Sequence, residues 1–345
     1  MEESDKRGDK EVLSAASRSA KERYLDQLRF KITFIVLCAA ALLLVFLISL
    51  VSGPSDLTAA QVIGSLTDRG ALANTIVFHI RLPRALAAVV SGAGLAVSGL
   101  IMQSVLRNDL ASPYTLGISH AASFGAALSI AAFGTGITLY LTPLMAFLSS
   151  LVAVFIMIAL ARYKGATAET MVLTGVALGS LYTGGLTAIK YFSTDQELAA
   201  ITFWQFGDLS RAGWQEIAVM FACFIIVFLY FLRNSWNYNA MDYGDEVARS
   251  LGVRAERMRM SGMLLSSLVT AVIVSFVGVI GFIGLVVPHI VRRIIGEDAL
   301  YLLPASSVAG ALLLLSADVA SRSVFSPIIL PVGILTSFLG APLFV

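Results

Sequence analysis

Long apolar runs separated by short polar intervals make up most of this chain. A helix needs about 20 apolar residues to cross the hydrocarbon core of a membrane. By this measure we predict ten spans, at residues 31–51, 82–106, 114–134, 138–161, 168–192, 213–232, 260–279, 281–295, 300–321 and 328–345. The eighth is too short for a full crossing and follows a glycine-rich turn, which is typical of a half-span buried against protein. The predicted fold class is therefore an all-α membrane protein with about ten transmembrane helices.

Composition agrees with a chain that lies mostly in lipid. Hydrophobic residues make up 57% of the sequence and charged residues 13%, and the mean hydropathy is +0.84. An ordinary soluble domain carries about 25% charged residues. Cys38 and Cys223 each lie inside an apolar run, so we expect neither a disulfide framework nor a metal cluster.

The distribution of basic residues predicts the orientation in the cell membrane. With the N-terminus inside, most of the 24 Lys and Arg residues fall on inner segments, as the positive-inside rule requires. Both termini are then cytosolic. Residues 1–29 alternate acids and bases and are expected to form a disordered or surface-lying tail, while residues 30–345 form a single transmembrane domain.

The longest polar interval between spans covers residues 237–259 and is predicted to face the cytosol. Asp242 is a candidate cap for a short helix over residues 244–251, and Gly252 stands where a left-handed stop is favoured. A second basic run follows at residues 254–259. The interval is too short for a domain, and we favour a docking surface for a soluble partner over a plain solvated loop.

Three arginines on predicted outer segments oppose the general charge trend. Arg81 and Arg84 open the second span, and Arg322 closes the ninth. Asp318 lies four residues before Arg322, so the two can pair along one helix face. Snorkelling of these side chains to the headgroups is one explanation. The alternative is a basic patch that receives acidic residues of a delivery protein.

The sequence contains no common catalytic motif. The sequence has no Gly-Lys dipeptide and therefore no P-loop, and it lacks the metalloprotease, hydrolase and dinucleotide-binding motifs. We predict no catalytic and no metal-binding residue, and His289 is expected to be structural. An active transporter of this kind would take its energy from an ion gradient or from a partner. Tyr182, Thr183 and Thr187 form a mildly polar strip on the fifth span, suited equally to a passage or to helix packing.

Several ordered motifs resemble those of the permease subunits of ABC importers for iron-siderophores, haem and cobalamin. The resemblance runs from about residue 30 to the end of the chain. It is carried by RLPR at 81–84, GAGLAVSGLIMQ at 92–103, NDLASPYTLG at 108–117, DEVARSLGV at 245–253, GFIGLVVPHIVR at 281–292, AD and SR within 317–322, and PVGILTSFLGAP at 331–342. Two positions depart from the family pattern, with Asp109 in place of a proline and Ile329 in place of a glutamate.

The resemblance implies a permease homodimer, two cytosolic ATPase subunits that use ATP and Mg, and an extracytoplasmic substrate-binding protein, with no nucleic acid partner. This chain would bind no cofactor of its own. By motif, the ATPase-coupling residues would be Asp245, Glu246, Ala248, Arg249, Leu251 and Gly252, and the docking residues Arg81, Arg84 and Arg322. Tyr182, Thr183 and Thr187 would line the passage. A gradient-driven secondary transporter is the alternative, as is import of a molybdate-like oxyanion within the ABC class. A membrane-embedded enzyme is disfavoured by the motif search.

Overall fold

The computed structural model describes residues 2–53, 57–65, 72–134, 138–163, 167–324 and 330–344, and every regular element within these ranges is helical. Ile329 lies outside the described residues. The helices are α1 (Glu2–Val51), α2 (Ala59–Gly64), α3 (Leu72–Ile76), α4 (Leu82–Leu106), α5 (Ile118–Phe133), α6 (Thr138–Tyr163), α7 (Ala168–Phe192), α8 (Asp195–Gln205), α9 (Trp214–Arg233), α10 (Ser235–Asp242), α11 (Asp245–Ser250), α12 (Ala255–Val277), α13 (Ile283–Ile295), α14 (Ala299–Ser323) and α15 (Val332–Phe344).

Each of the ten predicted spans corresponds to a helix. Seven segments are long and apolar enough to cross a membrane, and they contain α1, α4, α6, α7, α9, α12 and α14. The other three predicted spans are the shorter helices α5, α13 and α15. A 13-residue helix such as α13 is only about 20 Å long, which is less than the roughly 30 Å of a hydrocarbon core. The all-α membrane fold with about ten spans is thus confirmed.

Helix α4 is the central element of the bundle, and its small residues explain why. It packs against α9, α12, α13 and α14, and nearly all of its residues are buried. A Cβ atom on Gly92 would overlap the backbone of Gly310 in α14, and one on Gly99 would overlap the carbonyl oxygen of Gly284 in α13. Small residues let helix backbones approach closely in lipid. The small-residue pattern of the second span therefore serves packing.

The turn before α13 makes this helix a half-span. Gly278 has a φ of +76°, and Phe282 lies in the left-handed region with a φ of +66°. This irregular backbone packs against protein, with Gly278 beside Trp204 and Gly207 and Phe282 beside Gly340 of α15, as non-helical backbone at membrane depth must. This structure agrees with the half-span predicted for residues 281–295.

Helix α1 is longer than its apolar part. The sequence suggested a disordered or surface-lying tail over residues 1–29, whereas the backbone of residues 2–29 continues the helix that becomes the first span. Alanine and alternating charged residues favour helix in this part of the chain. Farther along, α1 packs mainly against α14, and exposed apolar side chains such as Leu37 and Leu43 face away from the bundle, where lipid would lie.

Candidate functional site

A short helix stands out at the end of the bundle where α4 ends and α12 begins. Helix α11 spans Asp245–Ser250, inside the predicted 244–251. It stops at Gly252, whose φ is +83°, because the amide of Gly252 donates to Arg249 O at 3.0 Å and that of Val253 donates to Ala248 O at 2.9 Å. This is the Schellman arrangement that glycine favours. The predicted short helix and its glycine stop are confirmed.

The predicted helix cap at Asp242 is wrong. Asp242 is the last residue of α10, and the residue that caps α11 is Gly244, with a φ of +107° and no side-chain hydrogen bond. The turn through Tyr243 and Gly244 places Asp242 too far back to reach the first amides of α11. The Asp242 side chain instead lies among Ser104, Arg292 and Glu297.

Arg259 ties α11 to the core of the bundle. Its side chain is 3% exposed; Nη2 donates to Asp245 Oδ1 at 2.5 Å, and Nε donates to the carbonyl oxygen of Val105 near the end of α4 at 2.9 Å. Partial burial would raise the pKa of Asp245, but the Arg259 guanidinium, with Arg107 nearby, holds it below its usual value. A displacement of α11 would therefore also move α4 and α12. In the sequence, Arg259 is recognisable only as part of a basic run.

Helix α11 has one face toward the protein and one toward solvent. Ala248 is fully buried, while Val247 and Leu251 are 43% and 57% exposed. Glu246 and Arg249 are exposed as well. Exposed apolar side chains between charged ones, on a short helix held rigidly from behind, suit contact with another protein. All six predicted coupling residues lie on this helix or in the turn that ends it.

A second set of ion pairs surrounds the family departure at Asp109. Its carboxylate accepts a hydrogen bond from Arg292 Nη1 at 2.6 Å, and His289 Nδ1 lies 4.0 Å from Oδ2. These contacts attach the segment after α4 to the last turns of α13. No sequence signal indicated them, because 183 residues separate Asp109 from Arg292. Within the described chain, no group of three or more His, Cys, Asp and Glu side chains is placed to hold a metal ion.

Burial also changes the acidity of Asp242. Loss of solvent raises its pKa to about 6, and the negative charges of Glu297 and Asp109 contribute, while Arg292 and the Ser104 hydroxyl oppose the shift. Ionising Asp242 therefore costs more in the folded chain than in the unfolded one. The neutral Asp242 carboxyl therefore contributes to the free energy of unfolding. This contribution is complete below about pH 4 and is lost as the pH rises through about 6.

We expect Asp242→Asn to stabilise the protein at neutral pH but not under acidic conditions. The asparagine cannot ionise, so the variant should gain about 1–2 kcal/mol relative to the parent between pH 4.5 and pH 7.5. Apparent melting temperatures in detergent across this range measure the effect. Asp195→Asn, at an exposed acid in the first turn of α8, is the control. If the melting temperatures of Asp242→Asn and of the parent changed with pH in parallel, the raised pKa of Asp242 would be contradicted.

The three arginines predicted to lie on outer segments are together at the opposite end of α4. Arg84 Nε donates to Asp318 Oδ1 at 2.8 Å, and Arg322 Nε donates to Asp318 Oδ2 at 3.0 Å, so the predicted pairing of Asp318 with Arg322 is present. Arg81 Nη1 donates to the carbonyl oxygens of Leu50 and Val51, at 2.8 and 2.6 Å. A π-helical turn over Val77–Arg81, just before Pro83, sets the direction of this arginine.

Burial distinguishes this arginine cluster from the exposed patch that the sequence suggested. Arg81, Arg84 and Arg322 are 3%, 6% and 3% exposed, and Asp318 is fully buried. Arg322 also donates to the carbonyl oxygen of Ser52 at 2.8 Å and to Ser49 Oγ at 2.9 Å. The cluster therefore fastens the end of α1 to α4 and α14. Docking through direct contact with these side chains stays a prediction, and it would require this end of the bundle to open.

The predicted pore residues lie on α7, which packs mainly against α5 and α6. Tyr182 is half-buried against the ring of Phe124, with ring centroids 5.5 Å apart. Thr183 and Thr187 are exposed, and their hydroxyls donate to the carbonyl oxygens four residues earlier. A single chain does not enclose a passage at these residues. Their role in a pore stays a prediction.

A cleft of about 640 Å³ lies between the end of α8, the turn before α13 and the first turns of α15. Aromatic rings of Tyr114, Phe206, Phe282 and Phe338 line it, together with hydroxyl and amide side chains such as Gln205. The described lining of this cleft contains no acidic or basic residue. Such a surface can receive a bulky, largely apolar solute.

Comparison with known proteins identifies the family. A profile of the FecCD transport family matches residues 41–345. A protein of Methanocaldococcus jannaschii with the provisional name ABC transporter permease is 47% identical over 334 residues, which is 94% of this chain and 96% of that protein. The hemin transport system permease of Yersinia pestis is 39% identical over 269 residues, 77% of this chain and 80% of that protein.

A solved structure gives the same result for the fold. It is an inward-facing conformation of a provisionally assigned metal-chelate type ABC transporter, with a TM-score of 0.81, 29% sequence identity, and coverage of 90% of this chain and 97% of that one. The family match covers most of the sequence, and the fold agrees with that of a solved ABC transporter. The chain therefore belongs to the FecCD transport family and is a membrane-embedded permease subunit of an ABC importer.

Proposed function

We propose that two copies of this chain form the pathway of an importer for an iron chelate, haem or cobalamin, and that separate cytosolic subunits supply the energy by ATP hydrolysis. Helix α11 carries this proposal. It is rigidly connected to α4 and α12 through Arg259, and it presents Val247 and Leu251 to solvent. A partner protein that binds this helix can move the core helices without any ATP site in this chain. Both termini lie on the same, cytosolic side.

The exposed face of α7 supports the two-copy assembly. Leu173, Val176 and Leu181 are 73%, 52% and 68% exposed, and Ser180, Thr183 and Thr187 are exposed on the same helix. Hydroxyl groups gain little from facing lipid, whereas a water-filled passage between two copies would solvate them. A second copy placed against this region would close a passage that one chain leaves open.

The chemistry of the cleft next to α15 favours a bulky chelate over an oxyanion. Selective binding of a molybdate-like anion needs cationic groups or converging backbone amides. The described lining instead offers aromatic rings, hydroxyls and the amide of Gln205. Haem, a ferric siderophore or cobalamin presents the larger apolar surface that such a lining accommodates. The named substrate of the Yersinia pestis relative, hemin, agrees with this choice.

A gradient-driven transporter is less well supported by the arrangement of charges. Such a transporter needs a titratable group that opens toward the substrate path. The fully buried Asp318 is held by Arg84 and Arg322 near the end of α14, and it does not line the cleft. This acid therefore has a structural environment rather than that of an ion-coupling site.

At the outer end, we propose that the arginine cluster supports the binding protein indirectly. By fastening α1 to α4 and α14, the cluster fixes the shape of the surface on which a delivery protein would rest. Direct pairing of Arg81, Arg84 or Arg322 with acidic residues of the binding protein would follow only after this end opens.

The proposed energy coupling is tested by purification of the tagged chain from its native membrane in mild detergent. Native mass measurement should yield two permease chains with two ATPase chains. We expect Val247→Glu with Leu251→Glu to reduce ATPase recovery at least tenfold, because two charges would be buried at the contact. The variant should still elute as a folded dimer, since both side chains point to solvent.

Arg233→Glu is the matched control, because Arg233 is exposed in the last turn of α9 at the same end of the bundle. Its ATPase recovery should equal that of the parent. Full ATPase recovery with the α11 double variant would remove the coupling role of this helix. Recovery of the parent chain without ATPase, under several mild conditions, would instead favour a gradient-driven transporter.

A further inference from the structure

Four arginines surround one pocket beside the coupling helix. The pocket has a volume of about 720 Å³ and is lined by Arg162 from the last turn of α6, Arg249 from α11, and Arg254 and Arg257 at the start of α12. Arg249, Arg254 and Arg257 belong to one basic stretch of the sequence, and the fold adds the positive charge of Arg162 from a distant helix.

The pocket lacks the negative charge that would balance them. All four arginines are exposed, and none forms a salt bridge with a carboxylate in the part of the chain that the structure describes. Glu256 is the one acidic residue of the described lining. Like charges that converge without partners repel each other. An anion in the pocket would relieve this repulsion.

The position of the pocket indicates the membrane surface. Arg162 is followed by Tyr163, which is 86% exposed at the end of a 24-residue apolar segment. Met260, nearly buried, lies at the pocket wall within α12, another apolar segment. Aromatic and basic residues at the ends of spans lie at the level of the lipid headgroups. The pocket wall is thus apolar at Met260 and basic at the four arginines, near the ends of two apolar helices.

The start of α12 adds to the positive field of the arginines. Its N-cap residue, Arg254, makes no side-chain hydrogen bond to the first amides of this 23-residue helix. The positive end of the helix dipole then points to the same region as the guanidinium groups. Arginine guanidinium groups pair with phosphate oxygens in a bidentate manner, and the four arginines of this pocket outnumber its one acidic residue, Glu256.

We propose that this arginine pocket binds a phosphate group at the membrane surface. A phosphodiester of an anionic phospholipid and a soluble phosphate share this chemistry. Basic pockets between transmembrane helices bind such headgroups in other membrane proteins. Because Arg249 belongs to α11 and Arg257 to α12, a bound phosphate would link the coupling helix to the bundle in addition to the Arg259–Asp245 contact.

Native mass spectrometry of the full chain in detergent tests the proposal, with phosphatidylglycerol and phosphatidylcholine as probes. We expect phosphatidylglycerol to bind, and Arg162→Ala with Arg257→Ala to weaken its binding at least tenfold. Arg233→Ala with Arg293→Ala is the matched control, since both arginines are exposed in the last turns of α9 and α13. This control should bind phosphatidylglycerol as the parent does. The readout does not depend on transport or on ATPase binding.

A second arm distinguishes the source of the phosphate. Melting temperatures of the delipidated chain are measured with inorganic phosphate or pyrophosphate. Stabilisation of the parent but not of the pocket variant would assign the pocket to a soluble phosphate, while stabilisation by phosphatidylglycerol alone would assign it to lipid. Equal lipid binding by the pocket and control variants, with no selective effect of soluble phosphate, would overturn the proposal. Loss of ATPase recovery without loss of phosphate or lipid binding would also overturn it, in favour of a protein contact.

Discussion

Asp318→Asn is expected to abolish accumulation of folded protein or to lower its apparent melting temperature by more than any surface change. The carboxylate is fully buried and accepts hydrogen bonds from Arg84 at 2.8 Å and Arg322 at 3.0 Å. Removing its charge leaves two buried guanidinium groups without their main counterion. Breaking a buried ion pair on one side costs about 3–5 kcal/mol. Size-exclusion profiles of detergent extracts and thermal melting measure the loss.

Asp208→Asn is the matched control for this variant. Its carboxylate lies 3.8 Å from Arg84 Nη1, but the side chain is 36% exposed, so solvent replaces much of the lost interaction. Arg322→Gln in the Asp318→Asn background should recover part of the stability, because it removes one of the uncompensated charges. A parent-like melting temperature for Asp318→Asn would show that the cluster does not hold α1 to the bundle.

Gly99→Ala is expected to disrupt the bundle at its centre, although it adds only one methyl group. The new Cβ would overlap the carbonyl oxygen of Gly284, so the backbones of α4 and α13 would have to separate. Overpacking of this kind costs about 1–3 kcal/mol and sometimes more, because backbone cannot rotate away as a side chain does. We expect a lower melting temperature and loss of transport in reconstituted complexes, since α13 borders the proposed substrate cleft.

Gly184→Ala on α7 provides the comparison, because a Cβ atom there meets nothing within 4 Å in the chain. Alanine is also the better helix former. The control should melt at or above the parent temperature. If both glycine variants melted alike, the close approach of α4 to α13 would not limit the stability of the fold.

Local patterns along the chain predicted the helices well. Apolar runs predicted all ten spans, the glycines around residues 278–284 predicted the half-span, and the small residues of the second span predicted its tight packing. Each of these features depends on residues near one another in the sequence. Gly252 belongs to the same class, since a helix stop is decided within a few residues.

Contacts between distant segments could not be predicted in this way. The sequence placed Arg81, Arg84 and Arg322 on one face, but it did not indicate that Arg84 and Asp318, 234 residues apart, form a buried pair. It also gave no sign that Arg259 reaches Val105, or that Asp109 pairs with Arg292. A charged residue near a span end looks the same in the sequence whether it is solvated or buried. The sequence alone therefore could not show whether the three arginines are exposed for docking or buried in ion pairs.

The two ends of α4 are fixed by different arginines, and this has a consequence for motion. At one end Arg84 pairs with Asp318 of α14, and at the other Arg259 from α12 holds the carbonyl oxygen of Val105. In the part of the chain that the structure describes, no arginine salt bridge attaches helix α7 to its neighbours, and it packs mainly against α5 and α6. We therefore expect α7 to move more than α4 during transport. Distances from α4 to α7, measured in different states of the transport cycle, would report the displacement of α7 relative to a fixed reference helix.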